Sequence, residues 1–225
     1  MPTQDAPTAY LIKLWPWIEA NKNRLIASAG LIVALALVLS YFSWQREQRE
    51  IAASEALTQL TFSTPASAGG GGVAEAYLRI ATQHPDTLAG QYAEVRGATA
   101  LFEGNQFADA QAQFQKYLEA HPDGVFSAKA TLGVAASLEA QGKLDQAVGY
   151  YQQVANGFSD VVATISAKFA LARIAELQGK FTDAMNIYMD IARLAPRSPM
   201  AEEAEMRAMG LRAKMAAVKP ATAKP

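Results

Sequence analysis

From about Ile51 onward, apolar residues return every three or four positions, and the chain is rich in alanine with few β-branched runs. That spacing predicts helices nearly throughout. Ahead of this amphipathic region the pattern changes: Leu25 to Gln45 contains no charged residue, and LIASAGLIVALALVLSYFSW is apolar on every face. A helix of about 20 such positions is long enough to cross ~30 Å of hydrocarbon. Trp15 and Trp17 precede the run and Tyr41 and Trp44 close it, where amphipathic rings would meet the two headgroup layers. A cleaved signal peptide is the competing reading, but the polar lead is long and SYFSW offers no small-residue cleavage site, so an uncleaved anchor is expected. Lys13, Lys22 and Arg24 face Arg46 and Arg49 across the span. This balance favours a cytoplasmic N-terminus with the C-terminal domain outside, in a bacterium the periplasm.

The chain also repeats itself. Aromatic residues stand at Tyr77, Phe114, Tyr151 and Tyr188, each 37 residues from the last. The same step links Ala98, Ala135 and Ala172; Ala110, Ala147 and Ala184; Phe107, Leu144 and Phe181; and Pro85, Pro122 and Pro196, with Ser159 breaking only the last row. Each period reads as two helices joined by a tight turn. Gly142 and Gly179, and Gly104-Asn105 in the first period, sit where the first helix must stop with a left-handed residue. The alanines let paired helices approach closely and the aromatic fills the space beside them; a larger residue in the alanine's place would overpack the contact.

These signals divide the chain. Residues 1–24 form a cytoplasmic lead, which is either an interfacial helix broken near Pro16 or a plain flexible segment. Residues 25–45 are the transmembrane helix, 46–64 a membrane-proximal helix, 65–72 a flexible glycine-rich loop, 73–215 the repeat domain and 216–225 a disordered tail. The expected fold class is all-α: an N-terminal transmembrane helix followed by a helical-hairpin solenoid, closed by the charged helix PMAEEAEMRAMGLRAKMA.

Composition narrows the chemistry. Lys+Arg 20 against Asp+Glu 21 leaves a net charge of -1, which gives no electrostatic footprint for nucleic acid. Cysteine is absent, which rules out disulfides, thiolate nucleophiles and cysteine-ligated metals. The two histidines, His84 and His121, both lie in His-Pro-Asp, one period apart at a helix end. A structural turn explains both, and a metal site needs three or four converging ligands. Gly142-Lys143 and Gly179-Lys180 lack the earlier glycine of a phosphate-binding loop, and the acidic residues are scattered at helical spacing. We therefore expect no catalytic, cofactor-binding or metal-binding residues, no cofactor and no small-molecule substrate.

The rows at Ala98, Ala110, Phe114 and Pro122, with their equivalents one period on, resemble the tetratricopeptide repeat over about residues 73 to 198. The usual period of that repeat is about 34 residues, so the links PDGVFSAKA and SDVVATISAKF are extended, as in the Tol-Pal coordinator and the outer-membrane assembly lipoprotein. The resemblance implies a partner-binding groove lined by Tyr92, Val95, Thr99 and Phe102, then Lys129, Leu132, Ala136 and Glu139, then Ser166, Phe169, Arg173 and Glu176. Chaperone-binding members hold a C-terminal carboxylate with Lys, Asn and Arg; Val95, Thr99, Gly133, Ser166 and Ala170 stand at those places here, so such a tail is not the expected ligand. The lead WPWIEANKNRLIASAG, the aromatic exit and the AASEAL helix are similar to the ancillary Sec-translocon subunit family. That likeness implies a single-pass inner-membrane scaffold, no enzyme, with translocon subunits and periplasmic chaperones as partners. The alternative is an envelope-assembly or cell-wall and division scaffold of the Tol-Pal coordinator type.

Overall fold

The computed structural model of the chain describes residues 6–63 and 70–218, and among them every regular element is a helix. The elements are α1 (Ala6–Ser63), α2 (Gly70–Gln83), α3 (Leu88–Glu103), α4 (Phe107–Ala120), α5 (Ser127–Ala140), α6 (Leu144–Gly157), α7 (Val161–Leu177), α8 (Phe181–Leu194) and α9 (Pro199–Val218). The chain divides into two compact units, Met1–Ala52 and Ala53–Pro225.

The described residues of the expected lead, span and membrane-proximal segment belong to α1, of which the part up to Ala52 lies in the first unit. The helix runs through Pro16 without the expected break; proline forgoes one backbone hydrogen bond inside a helix, a loss that α1 accommodates. The apolar side chains from Ile26 to Trp44 are exposed on every face. Among the described residues no helix is long and apolar enough to cross a membrane. Three side chains of the expected span, Leu25, Ser28 and Ala29, lie outside the described ones.

The second unit is a series of helical hairpins in which each helix from α2 to α9 packs on the next. Alanine rows form the seams. Ala98, Ala135, Ala172, Ala110, Ala147 and Ala184 are all 0% exposed. Beside them Phe114, Tyr151 and Tyr188 are buried, and Tyr77 is half-buried. A further row in the same register, Ala93, Ala130, Ala167 and Ala204, is also fully buried. The row Ile80, Tyr117, Val154 and Ile191 on the second helices is buried too, with only Ile80 retaining a little exposure. Fully burying a side chain of this size contributes about 1.5–3 kcal/mol. Contact between α4 and α5 is so close that a Cβ at Gly133 would overlap the Phe114 ring.

The turns inside the hairpins repeat with the helices. Asn105, Gly142 and Gly179, spaced by the same 37 residues, have φ of 59°, 77° and 74°. In the first period the left-handed residue is therefore Asn105, while Gly104 has an ordinary φ of -80°. Two hydrogen bonds close each helix: Gly142 N–H donates to the Glu139 carbonyl and Lys143 N–H to the Leu138 carbonyl, both at 2.9 Å, and the other two turns match them. This is the Schellman arrangement, which satisfies carbonyls that the helix end leaves open. Entry is capped too. Gly90 N–H donates to the Thr87 hydroxyl at 2.9 Å, and Val162 and Ala163 N–H to the Asp160 carboxylate at 2.9 and 3.1 Å.

Two boundaries differ from expectation. The flexible loop expected over 65–72 loses its last three residues to α2, which begins at Gly70. Glycine disfavours a helix by about 1 kcal/mol per residue, but Val73 and Ala74 pack into the main core and hold that turn; residues 65–69 lie outside the described ones. At the other end α9 continues to Val218, into the segment expected to be a tail. The remainder of that segment, 219–225, is outside the described residues.

The turns yield a prediction of opposite signs. No atom lies within 4 Å of where a Cβ would stand at Gly142 or Gly179, so alanine there meets only the backbone penalty of the left-handed region, about 1–2 kcal/mol. Gly142→Ala and Gly179→Ala should each lose that much in urea unfolding. Asn105→Gly should instead hold or gain a few tenths of a kcal/mol.

Candidate partner-binding groove

The first helices of the three periods, α3, α5 and α7, touch one another as well as their second helices, and so form a layer of their own. The register sorts the residues expected to line the groove into rows. Tyr92, Lys129 and Ser166 are one such row, and all three are exposed. Thr99, Ala136 and Arg173 are another: Thr99 and Ala136 are half-buried and Arg173 is exposed. Thr99 and Ser166 turn their hydroxyls back onto their own helices, donating to the Val95 and Val162 carbonyls at 2.8 and 2.9 Å.

A third row, Val95, Leu132 and Phe169, faces the neighbouring helices. Val95 is 1% exposed and belongs to the core. Leu132 packs against the same core, and the Phe169 ring lies 5.8 Å from that of Tyr188 on α8. Val95 is thus part of the core, while Leu132 and Phe169 are half-buried.

The fourth row, Phe102, Glu139 and Glu176, is tied to the aromatic seam. The Tyr151 hydroxyl donates to the Glu139 carboxylate at 2.9 Å, and the Tyr188 hydroxyl to Glu176 at 2.7 Å. The first period has phenylalanine at both positions, Phe102 and Phe114, so neither a phenol nor a carboxylate lacks its counterpart. The Phe102 ring instead lies 5.2 Å from that of Phe107, tilted 60° to it. Glu139 has a second partner, the Arg173 guanidinium at 2.6 Å, which ties α5 to α7. Glu139 is thereby committed to the structure on both oxygens.

Burial, and then the hydrogen bond to Glu176, pushes the Tyr188 phenol up to about 12. Burial and Glu139 raise the Tyr151 phenol too. Arg173 is held charged above its ordinary range, first by its hydrogen bond to Glu139.

A row that spacing alone did not single out lies next to Tyr92, Lys129 and Ser166. Leu88, Val125 and Val162 stand 37 residues apart at the starts of the three first helices. They are 51%, 77% and 61% exposed. The register would have located them, but exposure, which makes them notable, is a property of the packed structure.

The histidines sit in the turns between hairpins. His121 N–H donates to the Tyr117 carbonyl at 2.8 Å, and its ring lies 5.1 Å from that of Tyr117. Among the described residues no group of three His, Cys, Asp or Glu comes together.

Buried small–small–aromatic seams in a constant register, joined by left-handed turns, are the geometry of a tetratricopeptide-type repeat, and the family model described as tetratricopeptide repeat-like domain matches residues 16–219. The chain belongs to that family. The tetratricopeptide repeat-like match begins in α1, ahead of the uncharged segment, so it takes in that helix as well as the hairpins. No curated protein matches the chain. Repeat-like domains of this kind are in general non-catalytic modules for binding proteins.

The tyrosine–glutamate pairs make alkaline stability a test of this geometry. Each phenol's folded pKa lies above its ordinary value near 10, so its contribution is intact below about pH 10 and is lost as pH rises towards about 12 for Tyr188. Phenolate absorbance should show three of the eight tyrosines, Tyr117, Tyr151 and Tyr188, ionising above the ordinary range. Tyr188→Phe should remove one of them, lower neutral-pH stability by about 1 kcal/mol and flatten the alkaline loss.

Proposed function

We propose that this chain is a membrane-anchored scaffold whose repeat domain faces the periplasm and binds other proteins. The observation that carries the binding role is the row Leu88, Val125 and Val162, one exposed apolar side chain per period, flanked by Tyr92, Lys129 and Ser166. A surface with this spacing suits an extended or helical segment that lays an apolar group on each unit.

The anchor is supported by the first unit. Ile26, Leu31, Ile32, Val33, Leu35, Leu37, Val38, Leu39, Tyr41, Phe42 and Trp44 are each at least 50% exposed. A helix apolar all round needs cover from a core or from lipid. Lipid explains the tyrosine and tryptophan at one end and the arginines that follow. The position of the lysines and arginine before Leu25 supports a cytoplasmic N-terminus.

The likeness of the lead and exit to the ancillary Sec-translocon subunit family makes the translocon the first partner to test, with hand-off of secreted proteins to chaperones as the role. The rival is an envelope-assembly or division scaffold, favoured by the extended links between periods.

Pull-down of tagged full-length chain from native membranes in mild detergent, with protease accessibility on the same spheroplasts, tests the proposal. Translocon subunits should be recovered and the repeat domain digested from outside. The triple variant Leu88→Asp, Val125→Asp, Val162→Asp should lose at least tenfold of the recovered partner while its helix content and Tm stay within a few degrees of the parent. Recovery of outer-membrane proteins alone would replace the translocon by the envelope-assembly reading. A protected domain would overturn the topology, and unchanged recovery in the triple variant would overturn the binding row.

A further inference from the structure

The last helix of the repeat domain is packed on one side only. In the periods before it, each first helix lies between two second helices: the one that precedes it and its own. Among the described residues, α9 packs chiefly on α8; Ala201, Ala204, Ala208 and Leu211 are buried, and the last three share a core with α7 and α8. The register shows what the other side is built for. Met206 continues the row Val95, Leu132 and Phe169, whose last member meets Tyr188 on the following helix. Met209 continues the seam row Ala98, Ala135 and Ala172. In α9 these two positions are open, with Met206 67% and Met209 66% exposed.

The rest of that face is small. Gly210 and Ala213 lie beside the methionines and are exposed, and a Cβ at Gly210 would meet nothing within 4 Å. Another helix could approach closely there, with unbranched methionines adapting to its surface. Charge says which helix. The acidic residues of α9, Glu202, Glu203 and Glu205, precede Met206, whereas Arg207, Arg212 and Lys214 all follow it. A helix with one acidic and one basic half complements a copy of itself running the other way, while a parallel copy would set acid against acid.

We infer that α9 is a self-association surface: two copies of this chain pair through antiparallel α9 helices, with Met206 of each against Met209 of the other. A two-fold axis midway between those methionines also brings Glu205 within two residues' rise of Arg212 of the second copy, on the same flank of the contact, because the two stand seven residues apart on one face of α9. Glu203 holds Arg207 of its own helix at 2.9 Å on the other flank. Lys214 stays on its own copy, over the Phe181 ring at 4.6 Å. The second copy does for the end of the stack what a further second helix would do, and it closes the assembly at two because the contact is isologous.

Full-length chain in mild detergent is the material to test, and mass by light scattering with the detergent contribution subtracted is the first readout. The parent should have twice the mass of one chain. Met206→Glu with Met209→Glu should give single-chain mass with unchanged helix content and Tm, because both side chains are exposed. Glu205→Arg should weaken association about tenfold, since the two-fold replaces two ion pairs by two repulsions, and Glu205→Arg with Arg212→Glu should restore it.

The absence of cysteine makes the orientation readable. Under mild oxidation, chains carrying Met206→Cys should form a disulfide with chains carrying Met209→Cys. Chains carrying Glu202→Cys should not link to each other, because the antiparallel arrangement sets them about 16 Å apart along the helix at 1.5 Å per residue. A single-chain mass for the parent, a dimer that survives the double glutamate variant, an open series of higher masses, or efficient linking through Cys at 202 would each overturn the inference.

Discussion

Close approach of helix backbones at alanine is the constraint on which the second unit depends. At Ala98 and Ala110, Ala135 and Ala147, and Ala172 and Ala184, the side chain is a single methyl group with no exposed surface. The space left beside it takes the ring of Phe114, Tyr151 or Tyr188. Because the same seam returns every 37 residues, every hairpin meets its neighbour through equivalent side chains, and one core continues from α2 to α7 with a second at α7 to α9. The turns serve that geometry. A left-handed residue at Asn105, Gly142 and Gly179 reverses the chain within three residues, so the second helix falls back against the alanine of the first.

Polar groups are placed where the seams reach the surface. A tyrosine in the core needs a partner for its hydroxyl, and Glu139 and Glu176 supply one at the edge of the first-helix layer. Arg173 then compensates the half-buried Glu139 carboxylate and links two periods. Glu139, Glu176 and Arg173 are thereby tied into the domain. The outer edge of the layer exposes Leu88, Val125, Val162, Tyr92, Lys129 and Ser166.

Much of this was legible in the sequence, because a repeat amplifies weak signals. The aromatic, alanine and proline rows, the turn residues and the helix-hairpin unit all follow from one period. The row Ala93, Ala130, Ala167 and Ala204 obeys the same period but is masked by a composition in which alanine is common. Val95 was placed in the groove by analogy of position, whereas its small apolar side chain is drawn into the core. The start of α2 could not be read from Gly70 to Gly72, where propensity points to a loop and only the packing of Val73 and Ala74 decides otherwise. The exposed row at the helix starts is apolar in sequence, and apolar residues are read by default as core.

The most direct test of the seam is equilibrium urea unfolding of Ala135→Leu beside Ala112→Leu. Ala135 is fully buried at the seam and Ala112 is exposed on α4. If close approach at alanine holds the stack, Ala135→Leu should lose about 1–3 kcal/mol while Ala112→Leu stays within about 0.5 kcal/mol of the parent. Equal, small effects at both positions would contradict the account.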